Sequence, residues 1–173
     1  MTLFTRNLVE LDIQENGVEE CSGSWLSCFP ANFTSLEILN FSNLHSEVSF
    51  SALERLVARC KSLKVLKVNK NVTLEQLHRL LVHAPQLMQL GTGGFSQELQ
   101  PSQYTGLESV FNNYRGLHTL SGLWEANSLY LPLLYPACSG LTFLNLSDAT
   151  LQCNELAQLL GHCPNLRRLW VGI

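Results

Sequence analysis

One pattern, L-x-x-L-x-apolar, recurs along the whole of this 173-residue chain. It stands at Leu8-Leu11-Ile13, Leu36-Leu39-Phe41, Leu63-Leu66-Val68, Leu141-Leu144-Leu146 and Leu166-Leu169-Val171. Two weaker copies complete the series: Leu87-Leu90 leads into GTGG, and Leu117-Leu120 leads into Ser121-Gly122. Successive copies start 24 to 30 residues apart. A near-constant period of this length marks stacked structural units, each burying its apolar edge against its neighbours.

Within each copy, alternate residues of a short strand point to opposite faces. The leucines face inward and the x positions face outward onto a concave sheet. Between strands the period changes to that of a helix. SFSALERLVARC (49–60) places Leu53, Leu56 and Val57 on one face, with Ser51 and Glu54 spaced as a capping box. TLEQLHRLLVHA (73–84) does the same with Leu74, Leu77 and Leu81, capped by Thr73 and Gln76. CNELAQLLGHC (153–163) repeats it with Leu156, Leu159 and Leu160. Pro85 and Pro164 stop two of these helices. A further helix is expected near Tyr104 to Tyr114, after the long loop GTGGFSQELQPSQ. Pro132 and Pro136 allow only a short or broken helix in SLYLPLLYPAC, and CSGSWLSCFPANFTS has no helical period. The expected fold class is therefore α/β: a leucine-rich repeat solenoid of about seven repeats, with a parallel concave sheet and convex helices. Neither end carries a polar cap, so residues 1–173 are expected to form a partial repeat domain, a slice of a longer horseshoe.

Composition narrows the function. Hydrophobic residues make up 46% and charged residues 14%, which excludes a disordered chain. The net charge of -3 and the lack of any basic run argue against nucleic-acid and membrane-surface partners. The start, MTLFTRNLVELDI, has no apolar core of a signal peptide, and no stretch is long and apolar enough to span a bilayer. A cytosolic or nuclear location is expected. Cys60, Cys138 and Cys163 each precede a repeat leucine by three positions, which reads as buried structural cysteine. No C-x-x-C frame for zinc exists, so no metal site is expected.

Catalytic constellations are absent: no G-x-S-x-G, no H-E-x-x-H and no phosphate loop. GTGG (91–94) lacks the lysine and hydroxyl of such a loop and reads as a turn that needs positive φ. His78 and His83 are five apart, the wrong spacing for a helical metal pair. Glu54, Glu75 and Glu155 lie near helix starts, where they favour the dipole. The concave x positions include Glu10, Asp12, Lys64, Lys67, His118, Arg167, Arg168 and Trp170. Of these, Lys64, Lys67, Arg167 and Arg168 form a candidate surface for an inositol phosphate or a protein partner.

Several longer stretches are more specific than the leucines. SEVSFSALERLVARC, APQLMQLGTGGF, LSGLW, YLPLLYPACSGLTFLNLSDAT and CPNLRRLWV closely resemble the plant auxin receptors, the Transport Inhibitor Response and auxin-signalling F-box proteins. The match is collinear from Leu8 to Val171 and covers loops. For a complete protein, the resemblance implies a non-catalytic substrate receptor of an SCF-type ubiquitin ligase, acting in the nucleus. An N-terminal F-box docks a Skp-type adaptor of the cullin ligase. The horseshoe binds auxin beneath the degron of an Aux/IAA repressor, with inositol hexakisphosphate below the pocket. No F-box motif is present in these residues, and no auxin ligand of the family maps onto them. No cofactor is expected of this segment itself. The alternative is a freestanding leucine-rich repeat scaffold that binds another protein.

Overall fold

The computed structural model describes residues 7–14, 23–95, 101–114 and 116–172. Seven short strands form one parallel sheet in sequence order: β1 (Glu10–Asp12), β2 (Ile38–Asn40), β3 (Val65–Lys67), β4 (Gln89–Gly91), β5 (Thr119–Ser121), β6 (Phe143–Leu146) and β7 (Arg168–Val171). The seven pattern copies and the seven strands coincide. Each strand pairs only with its sequence neighbours, as a solenoid requires. The central leucines stack in register, Leu11, Leu39, Leu66, Leu90, Leu120, Leu144 and Leu169. Leu39, Leu66, Leu90 and Leu120 are wholly buried, and the two end members are only partly covered.

Helices return the chain on the other side: α1 (Phe50–Arg59), α2 (Leu74–His83), α3 (Pro101–Asn113), α4 (Leu131–Cys138) and α5 (Cys153–Gly161). The first interval holds a 3-10 helix, Gly23–Cys28. Leu53, Leu56 and Val57 of α1 and Leu74, Leu77 and Leu81 of α2 are buried, as their spacing predicts. In α5 only Leu159 is fully buried; Leu156 and Leu160 are half covered, because no further helix packs beyond them among the described residues. Pro132 sits in the first turn of α4, where its missing N–H costs nothing, and Pro136 keeps that helix to eight residues. No helix among the described residues is long and apolar enough to cross a membrane.

Capping differs from expectation in one place. Thr73 and Gln76 form the expected reciprocal box, with the Gln76 N–H donating to Thr73 Oγ1 at 3.3 Å. Ser51 and Glu54 do not. The helix begins two residues earlier than that box requires, with Ser49 as N-cap and no side-chain cap bond. Glu54 lies one turn in and instead receives both arms of Arg79 from α2, at 2.8 and 2.6 Å. Glu75 does stand in the first turn of α2, and Glu155 caps the Gln152 N–H of α5 at 2.7 Å.

Buried polar groups tie repeats together. The Tyr114 hydroxyl lies 2.6 Å from the carbonyl oxygens of both Leu81 and Ala84, one repeat back. Tyr114→Phe is expected to cost ~0.5–1.5 kcal/mol, since each carbonyl keeps a backbone donor, Ala84 N–H on Leu81 O and Leu87 N–H on Ala84 O. Burial also raises the Tyr114 pKa above the ordinary tyrosine value. A folded pKa above the unfolded one contributes stability that is intact below pH ~10 and falls by ~1.4 kcal/mol per pH unit above it. Urea unfolding of both chains at about pH 8 and about pH 11 checks this; the alkaline loss is expected to be smaller in the phenylalanine chain.

Cys60, Cys138 and Cys163 are buried free thiols at the ends of their helical segments, as their spacing predicts; Cys153 is exposed. Burial raises the Cys60 pKa. The hydrogen bond with Cys163, and then burial, raises that of Cys138.

Candidate interaction surface

The concave face consists of two rows that flank the buried leucines. One row is Glu10, Ile38, Val65, Gln89, Thr119, Phe143 and Arg168. The other is Asp12, Asn40, Lys67, Gly91 and Ser121, continued by Asn145 and Trp170. Lys67 and Arg168 therefore lie on the concave face, as expected, together with Glu10, Asp12 and Trp170.

Lys64, His118 and Arg167 do not. Each stands one residue before its strand, in the turn that approaches it. There they form a separate row, in which Arg167 N–H donates to Thr142 O, Thr142 N–H to His118 O, His118 N–H to Met88 O, and Met88 N–H to Lys64 O. The alternation rule applies to extended residues, and these belong to the turn. Lys64 is also neutralised by Glu37 at 2.8 Å. Arg168 stacks on Phe143, 5.2 Å from its ring centre. Lys67 and Arg168 are four strand steps apart, about 19 Å at sheet spacing. The four basic residues thus do not form one cluster.

The structure instead assembles a depression of about 300 Å³ over the middle of the sheet. Lys67 bounds one side; Phe143, Asn145 and Trp170 bound the other. Gly91 and Ser121 form the floor, because they are the smallest members of their row. The Lys67 stem lies directly on Gly91: a Cβ there would come within 3.0 Å of both Lys67 Cβ and Cγ. Lys67 has no ion-pair partner among the described residues. Trp170 is 59% exposed and meets Phe143 edge-on at 5.3 Å. Asp148 lines the aromatic end, and burial raises its carboxyl pKa from the ordinary aspartate value.

Trp124 forms the rim. It follows Gly122 and Leu123 and precedes Glu125, which have φ of 83°, 56° and 60°. Left-handed backbone at two non-glycine residues is uncommon and costs of order 1–3 kcal/mol each. Neighbouring repeats hold it in place. Leu123 N–H donates to Thr92 Oγ1 at 2.7 Å, Phe95 N–H to Trp124 O at 2.8 Å, and Glu125 N–H to Asp148 O at 2.9 Å. Here the role of GTGG is corrected. Among the described glycines only Gly122 has positive φ. Gly93 is required for close approach, since a Cβ on it would lie 1.9 Å from Val72 O.

On the convex side, a groove of about 370 Å³ between α2 and α3 is lined by His78, Val82, Val110 and Tyr114. It presents aliphatic edges and one imidazole, with no carboxylate, lysine or arginine to orient a ligand. His78 faces Gly106 of α3, whereas His83 points toward Glu54 of α1 at 4.0 Å, so the two histidines diverge. No cluster of three metal-ligating side chains occurs among the described residues.

Sequence spacing missed Trp124, Asn145 and Asp148. Phe143 was readable, as an aromatic at an outward strand position. Nothing local marks Trp124, which the left-handed bend alone carries to the rim.

No family model matches the chain. It is 51% identical over 96% of its length to a Transport inhibitor response 1-like protein of Oryza sativa subsp. japonica. It is equally similar, 51% over 96%, to GRR1-like protein 1 of Arabidopsis thaliana, and 31% identical over 95% to Coronatine-insensitive protein 1 of Arabidopsis thaliana. The chain spans about 28% of the length of the first two relatives. Among solved structures it is similar to a Listeria monocytogenes internalin, with a TM-score of 0.53, 17% identity and coverage of 80% of this chain and 36% of that one. It is also similar to TLR13, solved with ssRNA13, with a TM-score of 0.56, 20% identity and coverage of 96% of this chain and 26% of that one. These structural likenesses establish the repeat fold and nothing about ligands. With seven stacked repeats in register and half of its residues shared across nearly its whole length, the chain is a homologue of the plant Transport inhibitor response 1-like and GRR1-like proteins and matches a segment of them that folds as leucine-rich repeats.

Proposed function

We propose that this segment serves the substrate receptor of an SCF-type ubiquitin ligase in auxin signalling. In this reading the complete protein holds Aux/IAA repressors in an auxin-dependent manner and presents them for ubiquitination in the nucleus. Its F-box engages the Skp-type adaptor and cullin, and inositol hexakisphosphate supports the pocket. The segment itself is not catalytic; it spaces and orients the parts of the horseshoe that contact hormone and repressor. The observation that carries this reading is the higher identity to Transport inhibitor response 1-like proteins than to coronatine-insensitive proteins over the same span.

The test is a graft. The corresponding segment of a full-length rice Transport inhibitor response 1-like protein is replaced by residues 8–171, and capture of an Aux/IAA degron peptide is measured with and without auxin. Auxin-dependent capture is expected to survive. A folded chimera that has lost it would overturn the reading. Calorimetry on the isolated chain is expected to show no saturable auxin uptake, because no family ligand maps onto it.

A second reading, a repeat scaffold for another protein, is favoured by the exposure of Trp170 across the hollow from Lys67, which has no ion-pair partner among the described residues. It predicts a partner bound without hormone.

A further inference from the structure

The concave depression is bipolar. Lys67 stands toward one end with its stem laid over Gly91 and no ion-pair partner among the described residues. At the other end are the Phe143 and Trp170 rings, with Asp148 behind them. Asp12 is the acid nearest to Lys67 along its row, two strands away, and the Asn40 amide already occupies it at 3.1 Å. Arg168 is engaged over the outer part of Phe143. Above, the left-handed bend holds Trp124 over the same space. A half-buried tryptophan held between two left-handed residues, an exposed tryptophan, a lysine with no ion-pair partner among the described residues and a floor of Gly91 and Ser121 meet within one hollow. Aromatic anchors beside a desolvated charge are the usual centre of a protein–protein contact.

We propose that this hollow binds an extended peptide segment of a protein partner, with an acidic side chain at Lys67 and an aromatic one against Phe143 and Trp170. The spacing follows from the sheet. Lys67 and the Phe143–Asn145 strand are three strand steps apart, about 14 Å. An extended chain advances ~3.3 Å per residue, so the two anchors are four residues apart. Residues separated by four point to the same face of an extended chain, so both reach the floor together. The small Gly91 and Ser121 leave room for the backbone between them. Asp148 sets direction: it repels an acid at the aromatic end and accepts a donor there.

A peptide-display library of random linear decamers tests this against the purified chain, with selections repeated on Lys67→Glu and Trp170→Ala. Both substitutions are on the exposed concave face, and an unchanged circular dichroism spectrum controls for folding. The expected result is enrichment of sequences with Asp or Glu four residues from Phe, Tyr or Trp. Trp170→Ala weakens the enriched peptides by about tenfold or more, the size of one lost aromatic anchor. Lys67→Glu is expected to reverse the preference and select Lys or Arg at the acidic position. No enrichment, or enrichment indifferent to both substitutions, overturns the proposal. The auxin reading fails separately, in the graft, because the display selection contains no hormone.

Discussion

Alanine at Gly122 is expected to lower the unfolding free energy by ~2–4 kcal/mol. Two costs combine. The residue has φ +83°, where a side chain is strained, and its Cβ would sit 2.2 Å from Thr92 O and 2.7 Å from Thr92 N. Both atoms are backbone, so neither can rotate away. Thr92 is itself tied to the same bend: its N–H donates to Ser121 O at 2.9 Å and its hydroxyl accepts from Leu123 N–H at 2.7 Å. Relief therefore opens the seam between the fourth and fifth repeats and releases Trp124 from the rim. For a chain of this size the melting temperature is expected to fall by roughly 5–15 °C. Gly116→Ala is the control, since nothing lies within 4 Å of the added methyl. Equal stability of the two variants would show that the bend is not held as described.

Leu90→Ala is expected to cost a further ~2–5 kcal/mol by a different mechanism, lost burial plus an unfilled cavity. Leu90 is the centre of the leucine ladder, wholly buried between Leu66 and Leu120. The cavity cannot collapse, because strand pairing on both sides fixes the backbone around it. Leu169→Ala is expected to cost less, since that member of the ladder is only partly covered. The Glu54–Arg79 pair gives the scale for surface electrostatics. It is bidentate, but its arginine is 52% exposed, so Glu54→Ala is expected to cost under ~1 kcal/mol. Urea unfolding of these variants ranks the effects. A Leu90 variant no weaker than the Glu54 variant would refute the ladder as the main source of stability.

The glycine prediction bears on function as well. Gly122 lines the hollow and also sets where Trp124 stands. A stable variant at Trp124 itself, such as Trp124→Ala, separates the two effects: it removes the rim while leaving the seam intact.

Much of the fold was legible because it is written in a local code. Leu8, Leu36, Leu63, Leu87, Leu117, Leu141 and Leu166 recur with the period of one strand-and-return unit, and all seven units appear. Thr73 and Gln76 were legible as a cap because both partners lie within one helical turn. Ser51 and Glu54 have the same spacing, but the helix starts at Phe50, and a capping residue works only at the first turn. Arg79, 25 residues on, then takes Glu54.

The sequence by itself determined the repeat, the parallel sheet, the burial of the leucines and the homology. Each of these follows from the order of apolar and polar residues over a few positions, or from identity along the chain. Only the tertiary structure decided which outward residues share a surface. Lys64, His118 and Arg167 fall into the approach turns, although they occupy x positions of the same pattern. Lys67, Trp124 and Trp170, from three different repeats, come to one hollow. Their meeting depends on strand register, on how closely Gly91 and Gly93 let adjacent repeats approach, and on a left-handed bend that neighbouring backbone holds in place. Those are contacts between residues about one repeat or more apart, and no short-range periodicity encodes them.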